Sequence, residues 1–281
     1  MADANSQFLY ATDHMTYAKR HYLSQFLREK TDSTVQRGIL TGYRIGDVHW
    51  GEAAVGSWLL GTYEVQVCAL LDRLASPGRL LLDIGAADGL YGIGLVAVGA
   101  FGRSICFEAN STARDRLSKR AEELVLAEKV TVYGAAEQDS IAALLASEGP
   151  LVEGTVVLCD IEGGEFDLLT SEVLALFARC HVIVELHDTL LSPPAQALSP
   201  LPALKARAEE FFHIYEIRDG LRDMRGIALL EDWSDADVWS LCMEGRKRMM
   251  SWLYLVPNDE PALTEADLDS VVLTYQRNLN G

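Results

Sequence analysis

What this sequence lacks narrows the field first. It contains no uninterrupted apolar run of the roughly 18 residues that a membrane-crossing helix requires, so no span is expected. The N-terminus carries Asp3 and no basic segment leading into an apolar one, which speaks against a secretory leader. There is no internal repeat and no low-complexity tract. Positive charge is scarce, with 24 Lys and Arg against 41 Asp and Glu, a net charge of −17. Such a surface repels phosphate backbones and anionic lipid, so neither nucleic acid nor a membrane is an expected partner. Arg246-Lys247-Arg248 is the nearest thing to a basic patch and reads as the basic end of a helix. Cysteine is limited to Cys68, Cys106, Cys159, Cys180 and Cys242, an odd number with no CxxC pair. Most sit in apolar runs, as small buried hydrophobes of a reducing compartment do, and the expectation is a cytoplasmic protein without disulfides or structural zinc.

What is present is apolar material in quantity. Hydrophobic residues make up 49% of 281, and that length is enough for one large α/β domain with an appended helical segment, or for two small domains. The first 30 or so residues read as helix, with Tyr22, Leu23, Phe26 and Leu27 forming one apolar stripe. Residues 31–61 are mixed and resist assignment. A helix over Glu64 to Leu74 closes at the Pro77-Gly78 turn. A regular rhythm then begins. Strands are expected at Leu80–Leu82, Ser104–Phe107, Val130–Tyr133, Val156–Cys159 and Val182–Val184. Helices fall between them: one running through Leu95 to about Ala100, one over Ser111–Ala127, one near Ile141–Leu145, and one bearing Leu169, Val173, Leu176 and Phe177. Short apolar strands alternating with helices imply βαβ units and a parallel sheet covered on both faces. Prolines at 193, 194, 200 and 202 mark a loop, after which Phe212–Ile217 and Trp252–Val256 bring the sheet to seven strands. Most tryptophans read as core, although Trp50 or Trp58 could line an acceptor pocket.

In such a sheet ligands bind beyond the C-terminal strand ends. Asp83-Ile84-Gly85-Ala86-Ala87-Asp88-Gly89 ends the first strand in a glycine turn. Glu108 ends the second strand about 20 residues on, where a carboxylate can accept both hydroxyls of a ribose. That spacing fits NAD and S-adenosylmethionine alike. The dinucleotide fingerprint needs a glycine where Ala87 stands, and Asp88 sets a carboxylate where a pyrophosphate would lie. A ligand without phosphate is favoured, and S-adenosylmethionine is one.

Several separated motifs resemble those of the FkbM family of S-adenosylmethionine-dependent O-methyltransferases. Gly61-Thr62-Tyr63-Glu64 is similar to that family's entry segment, and Asp83-Ile84-Gly85-Ala86 with Gly89 and Tyr91 to its glycine motif. Phe107-Glu108-Ala109-Asn110 resembles its Phe-Glu-Pro-Asn, with Ala109 replacing proline, and Ala136 fits the alanine after its third strand. Asp160-Ile161-Glu162-Gly163-Gly164-Glu165 is close to its Asp-Val-Glu-Gly-x-Glu, and Val184-Glu185-Leu186-His187 to its Glu-x-His. Ala87 and Asp88 depart from the pattern. The resemblance covers about Gly61 to Asp188. It implies a class I, Rossmann-like, mostly parallel seven-stranded sheet with helices on both faces and the last strand antiparallel. It also implies methyl transfer to a hydroxyl, often of a sugar or polyketide. The cofactor set is then Tyr63, Glu64, Asp83, Gly85, Ala86, Gly89, Tyr91, Glu108, Ala109, Asn110, Ala136 and Asp160. On this reading residues 1–60 form a helical or irregular extension and 61–281 the methyltransferase domain.

An alcohol is a poor nucleophile at neutral pH and needs help. Asp160, Glu162, Glu185 and His187 stand at neighbouring strand ends, and His187 is the first choice for the base, with Asp160 and Glu185 orienting its ring. The reading requires no metal, yet Asp160, Glu185 and a third ligand from His187 or Asp188 could hold Mg²⁺. Glu165 reads as N-terminal helix charge, and His181 as a surface residue at a strand start. The acceptor is expected to be a small hydroxylated molecule, and the N-terminal helix is a candidate surface for self-association. Two rival classes remain: an NAD-dependent oxidoreductase, and a methyltransferase-like scaffold without catalysis.

Overall fold

The computed structural model describes residues 4–148, 154–187, 200–220, 222–244, 246 and 250–280. Asp188, Pro193-Pro194, Lys247 and Arg248 therefore lie outside the described residues. In chain order the elements are α1 (Ala4–Thr31), α2 (Val55–Leu59), α3 (Val65–Leu74), β1 (Ser76–Ile84), α4 (Gly94–Ala97), β2 (Phe101–Phe107), α5 (Ser111–Glu123), β3 (Val130–Tyr133), α6 (Gln138–Glu148), β4 (Val156–Cys159), α7 (Glu165–Leu168), α8 (Ser171–Leu176), β5 (His181–Glu185), α9 (Leu201–Ala208), β6 (Phe212–Arg218), α10 (Asp235–Cys242), β7 (Ser251–Pro257) and α11 (Glu265–Asn280). None of the described helices is long and apolar enough to cross a membrane.

The chain forms two compact units, Met1–Asp72 with Gly220–Arg248 and Ser270–Gly281, and Arg73–Asp219 with Met249–Asp269. The division differs from the expected boundary at 60/61. It passes between Asp72 and Arg73 within α3, and the last segment returns to the first unit, where its side chains and carbonyls bond. The Tyr275 hydroxyl accepts the Ile39 amide at 3.0 Å, and Arg37 Nε donates to the Leu279 carbonyl at 2.9 Å.

In the first unit α1 spans the expected helical stretch, but its buried face differs. Arg20, Ser24, Leu27 and Thr31 are buried, whereas Tyr22 is 70% and Phe26 40% exposed. Burial thus follows a 20-24-27-31 stripe, in which Ser24 accepts the Gly56 amide of α2 at 3.1 Å and Thr31 bonds back to the Leu27 carbonyl. The tryptophans divide: Trp58 and Trp252 are buried, while Trp50 and Trp239 are about half exposed.

The second unit holds a seven-stranded sheet in the order β3-β2-β1-β4-β5-β7-β6. β1, β2, β3, β4 and β5 pair in parallel, and β7 runs antiparallel to both β5 and β6, so the sheet is mixed. All seven expected strands are present. β4 (VVLC) and β5 (HVIVE) are buried along their whole length, as central parallel strands covered on both faces must be. The core around them includes Val157, Val182, Val184, Leu253 and Leu255.

Several boundaries move. Pro77 and Gly78 lie in the irregular start of β1, where the register breaks between Ser76 and Leu80, because proline cannot donate to a ladder. The helix after the glycine turn is only α4, stopped by Gly99 at φ 77°. α5 ends at Glu123 rather than Ala127, and α6 extends well beyond Ile141–Leu145. The helix expected over Leu169–Phe177 is two, since the Thr170 hydroxyl caps α8 by accepting the Val173 amide.

The register brings the functional strand ends into line. Ile84 pairs with Phe107 and with Cys159, and Cys159 pairs with Val184. The next residues, Gly85, Glu108, Asp160 and Glu185, therefore emerge together at one edge of the sheet. Successive connections run from β1 out to β3, and from β4 outward in the other direction, so the order reverses between β1 and β4. At that point a Cβ on Gly85 (φ 95°) would lie 1.7 Å from the Asp160 carbonyl oxygen. Gly85→Ala is expected to cost at least about 3 kcal/mol in urea denaturation, whereas Gly134→Ala, with open space around it, should leave the midpoint nearly unchanged.

Candidate functional site

The β1 end is tied down by its own carboxylate. Asp83 is 3% exposed, and its Oδ2 accepts the Gly92 amide at 2.8 Å. Burial pushes its pKa up to about 7, against the stabilising Gly92 bond and with added repulsion from Glu108. Several amides of the turn that follows are spent internally. Gly85 and Ala86 both donate to the Phe107 carbonyl, at 2.9 and 3.0 Å, and Gly89 donates to the Ala86 carbonyl at 2.7 Å. Ala87 takes the left-handed φ of 45° that an alanine seldom adopts, and its amide donates to Glu108 Oε2 at 2.9 Å.

Glu108, at the β2 end, is half-buried. Its Oε1 accepts the Asn110 amide at 2.7 Å, so each carboxylate oxygen holds one backbone group. Arg114 clamps the same strand exit through the carbonyls of Glu108 and Ala109, at 2.8 and 2.7 Å. Asn110 caps α5 by accepting the Ala113 amide at 3.1 Å. Asp88 does not serve the turn's open face as expected. Its side chain is 5% exposed and approaches Arg116 of α5 at 3.8 Å, because the turn directs it toward that basic helix. Tyr91 and Ala136 are half-buried, and Ala136 packs on the core beside Tyr133.

Beyond β4 and β5 the chain brings the acceptor-side candidates together. His187 Nε2 lies 3.6 Å from both Asp160 Oδ1 and Glu162 Oε2. One ligand atom each from Asp160, Glu185 and His187 falls within 4.8 Å of the others. Glu185 and His187 are buried, Asp160 is partly open, and the Glu162 side chain is 77% exposed.

The ring is not oriented in the way the sequence suggests. Glu165, wholly buried as the first residue of α7, occupies that position. Its Oε1 accepts the His187 amide at 2.8 Å and lies 3.3 Å from Nδ1, off the ring N–H direction, as a close charge contact. Its Oε2 accepts the Gly163 amide at 2.8 Å. Burial works to raise the Glu165 pKa, but the imidazole and the amides of Glu165 and His187 hold it below the ordinary carboxylate value. Burial likewise pulls His187 down, and contact with Glu165 plus the charges of Glu185, Glu165 and Glu162 outweighs it, so the imidazole sits above its usual pKa. The clue to Glu165 in the sequence is Gly163-Gly164. With Glu162 at φ 54° and Gly163 at φ 106°, the chain doubles back and points an amide at the carboxylate.

Tyr63 and Glu64 belong to the first unit. Glu64 is buried at φ 41°, donates its amide to Glu244 Oε1 at 2.9 Å and pairs with Arg246. Arg246 therefore is no helix terminus. It follows α10, pairs also with Glu244 at 2.5 Å, and stands 5.9 Å from the centre of the Tyr63 ring. His181 is also reassigned: it is 5% exposed, with Nδ1 3.0 Å from the Tyr254 hydroxyl and Nε2 3.1 Å from Glu260. All five cysteines are buried and unbridged.

No family model matches the chain, and no curated protein matches it. Among solved structures it is similar to the precorrin-6y C5,15-methyltransferase of Geobacter metallireducens, at 16% identity over 68% of this chain and 85% of that one, with a TM-score of 0.40. It is similar to an RNA methyltransferase of Salinibacter ruber in complex with S-adenosyl-L-homocysteine, at 15% identity over 70% and 96% of the two chains, with a TM-score of 0.34. A Streptococcus agalactiae protein of the NADB-Rossmann superfamily is similar at 15% identity over 73% and 72%, with a TM-score of 0.44.

The Asp83 geometry makes a pH-dependent expectation. Its folded pKa, about 7, lies above the unfolded value, so the folded state holds an extra proton between about pH 4 and 7 and loses stability as pH rises through that window. Asp83→Asn keeps an acceptor for Gly92 and has no proton to lose. Its Tm should therefore fall less than the native Tm between those pH values in calorimetric melts, and an unchanged pH slope would refute the assignment.

Proposed function

We propose that this protein is an S-adenosylmethionine-dependent O-methyltransferase, akin to the FkbM group, acting on a hydroxyl of a small molecule of the sugar, glycosyl or polyketide type. The cofactor reading is carried by the glycine turn. The amides of Gly85, Ala86, Ala87, Gly89 and Gly92 already donate to oxygens of the protein. A dinucleotide needs free amides of this kind for its pyrophosphate. S-adenosylmethionine brings no phosphate, and it offers ribose hydroxyls to the remaining lone pairs of Glu108. Asp83, Gly85 and Gly89 shape the methionine and ribose side.

The acceptor is served by Asp160, Glu162, Glu185 and His187. Methyl transfer requires the acceptor oxygen about 3 Å from the sulfonium methyl and in line with sulfur, and the β4 end lies next to the β1 end in the sheet order, with the β5 end beyond it. A net charge of −17 supports a small acceptor over a polyanionic one.

Calorimetry with S-adenosylhomocysteine, run beside NADH, tests the cofactor. The homocysteine product should bind and NADH should not. Glu108→Ala should weaken the former at least tenfold, about 1.4 kcal/mol, with Glu108→Gln intermediate. His187→Ala should spare cofactor binding and lower turnover in a methyl-transfer screen of pooled hydroxylated acceptors. Tight NADH binding without S-adenosylhomocysteine binding would make the chain an oxidoreductase. Cofactor binding without turnover on any acceptor would make it a scaffold.

A further inference from the structure

We propose that Asp160, Glu185 and His187 form a binding site for a hard or borderline divalent cation of the Mg²⁺/Mn²⁺ class. The site requires only the second unit, whereas its use in activating the acceptor rests on the methyl-transfer reading above.

Three observations converge. The first is distance. Octahedral coordination at about 2.0–2.2 Å sets ligand atoms up to about 4.4 Å apart, and those of Asp160, Glu185 and His187 lie within 4.8 Å of one another. A side-chain adjustment of a few tenths of an ångström closes the set. The second is the arrangement behind the histidine. Glu165 stands 3.3 Å from Nδ1 and accepts the His187 main-chain amide. In the usual support of a metal-bound imidazole a carboxylate accepts the N–H of the nitrogen turned away from the metal; here Glu165 stands beside that nitrogen as a charge contact, and a small turn of the ring would bring it into that bond. Glu165 is itself anchored by the Gly163 amide at 2.8 Å, so a fixed, wholly buried carboxylate stands behind the ring. The third is exposure. The His187 side chain is 4% exposed, too enclosed for its own nitrogen to reach an acceptor, whereas Asp160 is 38% exposed. A cation held between them would keep its open positions on the Asp160 side.

The proposal changes the part His187 plays. Each of its nitrogens faces a carboxylate, Nδ1 toward Glu165 and Nε2 toward Asp160 and Glu162. It acts as a ligand, the alternative that the sequence left open beside the general base. The acceptor hydroxyl would take an open coordination position, which lowers its pKa. Its proton leaves to solvent past the exposed Glu162 carboxylate. The oxygen forms a bond to the methyl carbon, the carbon–sulfur bond breaks, and that electron pair stays on sulfur to give S-adenosylhomocysteine. Two carboxylates and one imidazole favour Mg²⁺ or Mn²⁺ over the thiolate-seeking metals.

The test titrates Mn²⁺ into the full chain after treatment with EDTA and removal of the chelator, following free Mn²⁺ by electron paramagnetic resonance at moderate salt. The salt suppresses loose binding to the acidic surface. One Mn²⁺ per chain should bind, and Mg²⁺ should compete for it. Asp160→Asn and Glu185→Gln should each weaken binding more than tenfold, and Glu165→Gln by about tenfold through loss of ring support. Circular dichroism melts and metal-free S-adenosylhomocysteine calorimetry report whether each variant is folded. No bound Mn²⁺, or binding undiminished in folded Asp160→Asn and Glu185→Gln, overturns the proposal. Mn²⁺ binding without S-adenosylhomocysteine binding would keep the cation site and remove the methyl-transfer reading. The reverse result would remove the cation site alone.

Discussion

The candidate site depends on one close approach, the backbone of Gly85 against the carbonyl of Asp160. Only a residue without Cβ can lie there, since the added atom would come within 1.7 Å of that oxygen. The Asp160 amide donates to the Ile84 carbonyl at 2.9 Å, so the ends of β1 and β4 are held together by bond and by contact. Strand order reverses between these two strands, the place where such sheets take their ligands. The positions of Asp83 and Glu108 on one side, and of Asp160, Glu185 and His187 on the other, follow from that contact.

Around that contact the acidic residues divide into two kinds. Asp83, Glu108 and Glu165 each hold backbone amides: Gly92; Ala87 and Asn110; Gly163 and His187. A buried carboxylate is costly unless it accepts such bonds, and a buried amide stripped of its acceptor costs about 1–3 kcal/mol. These three carboxylates are therefore structural members of the turns that shape the site, with Glu108 alone open enough to serve a ligand as well. Asp160 and Glu162 are the carboxylates of the rim with substantial exposed surface. A count of acids in the motifs would treat all of them alike; the amides they hold separate them.

The sheet was legible because its signal is periodic and local. β4 and the Val182–Val184 centre of β5 are short apolar runs, and their length and their alternation with longer amphipathic stretches mark them as strands. What escaped the sequence depended on partners distant in the chain. The stripe Tyr22-Leu23-Phe26-Leu27 has helical spacing, yet α1 turns Arg20 and Ser24 inward, because Ser24 meets the Gly56 amide 32 residues away. His181 looked superficial until Tyr254 and Glu260 met it from the other end of the chain. Arg246 looked like helix-end charge, and its partner Glu64 lies 182 positions earlier. Glu165 was visible in its motif but was given a generic role, since the fold-back at Glu162 and Gly163 that delivers amides to it leaves no periodic trace.

Asp88 does not play the part that its place in the motif suggested. Its carboxylate seemed to exclude a pyrophosphate by charge, but the side chain approaches Arg116, which partly offsets that charge. The proposed exclusion rests instead on Ala87. An alanine at φ 45° carries backbone strain of about 1–3 kcal/mol, and it persists because its amide reaches Glu108. A phosphate-binding turn keeps its amides free and uses glycine to aim them. Here the strained residue gives its amide to an internal anion, and the carboxylate at the β2 end fills the role that a ligand phosphate plays elsewhere. On the proposed reading a ligand at Ala87 meets the lone pairs of Glu108 where a phosphate would need donors, and that polarity is the physical root of the proposed preference for a sulfonium nucleoside.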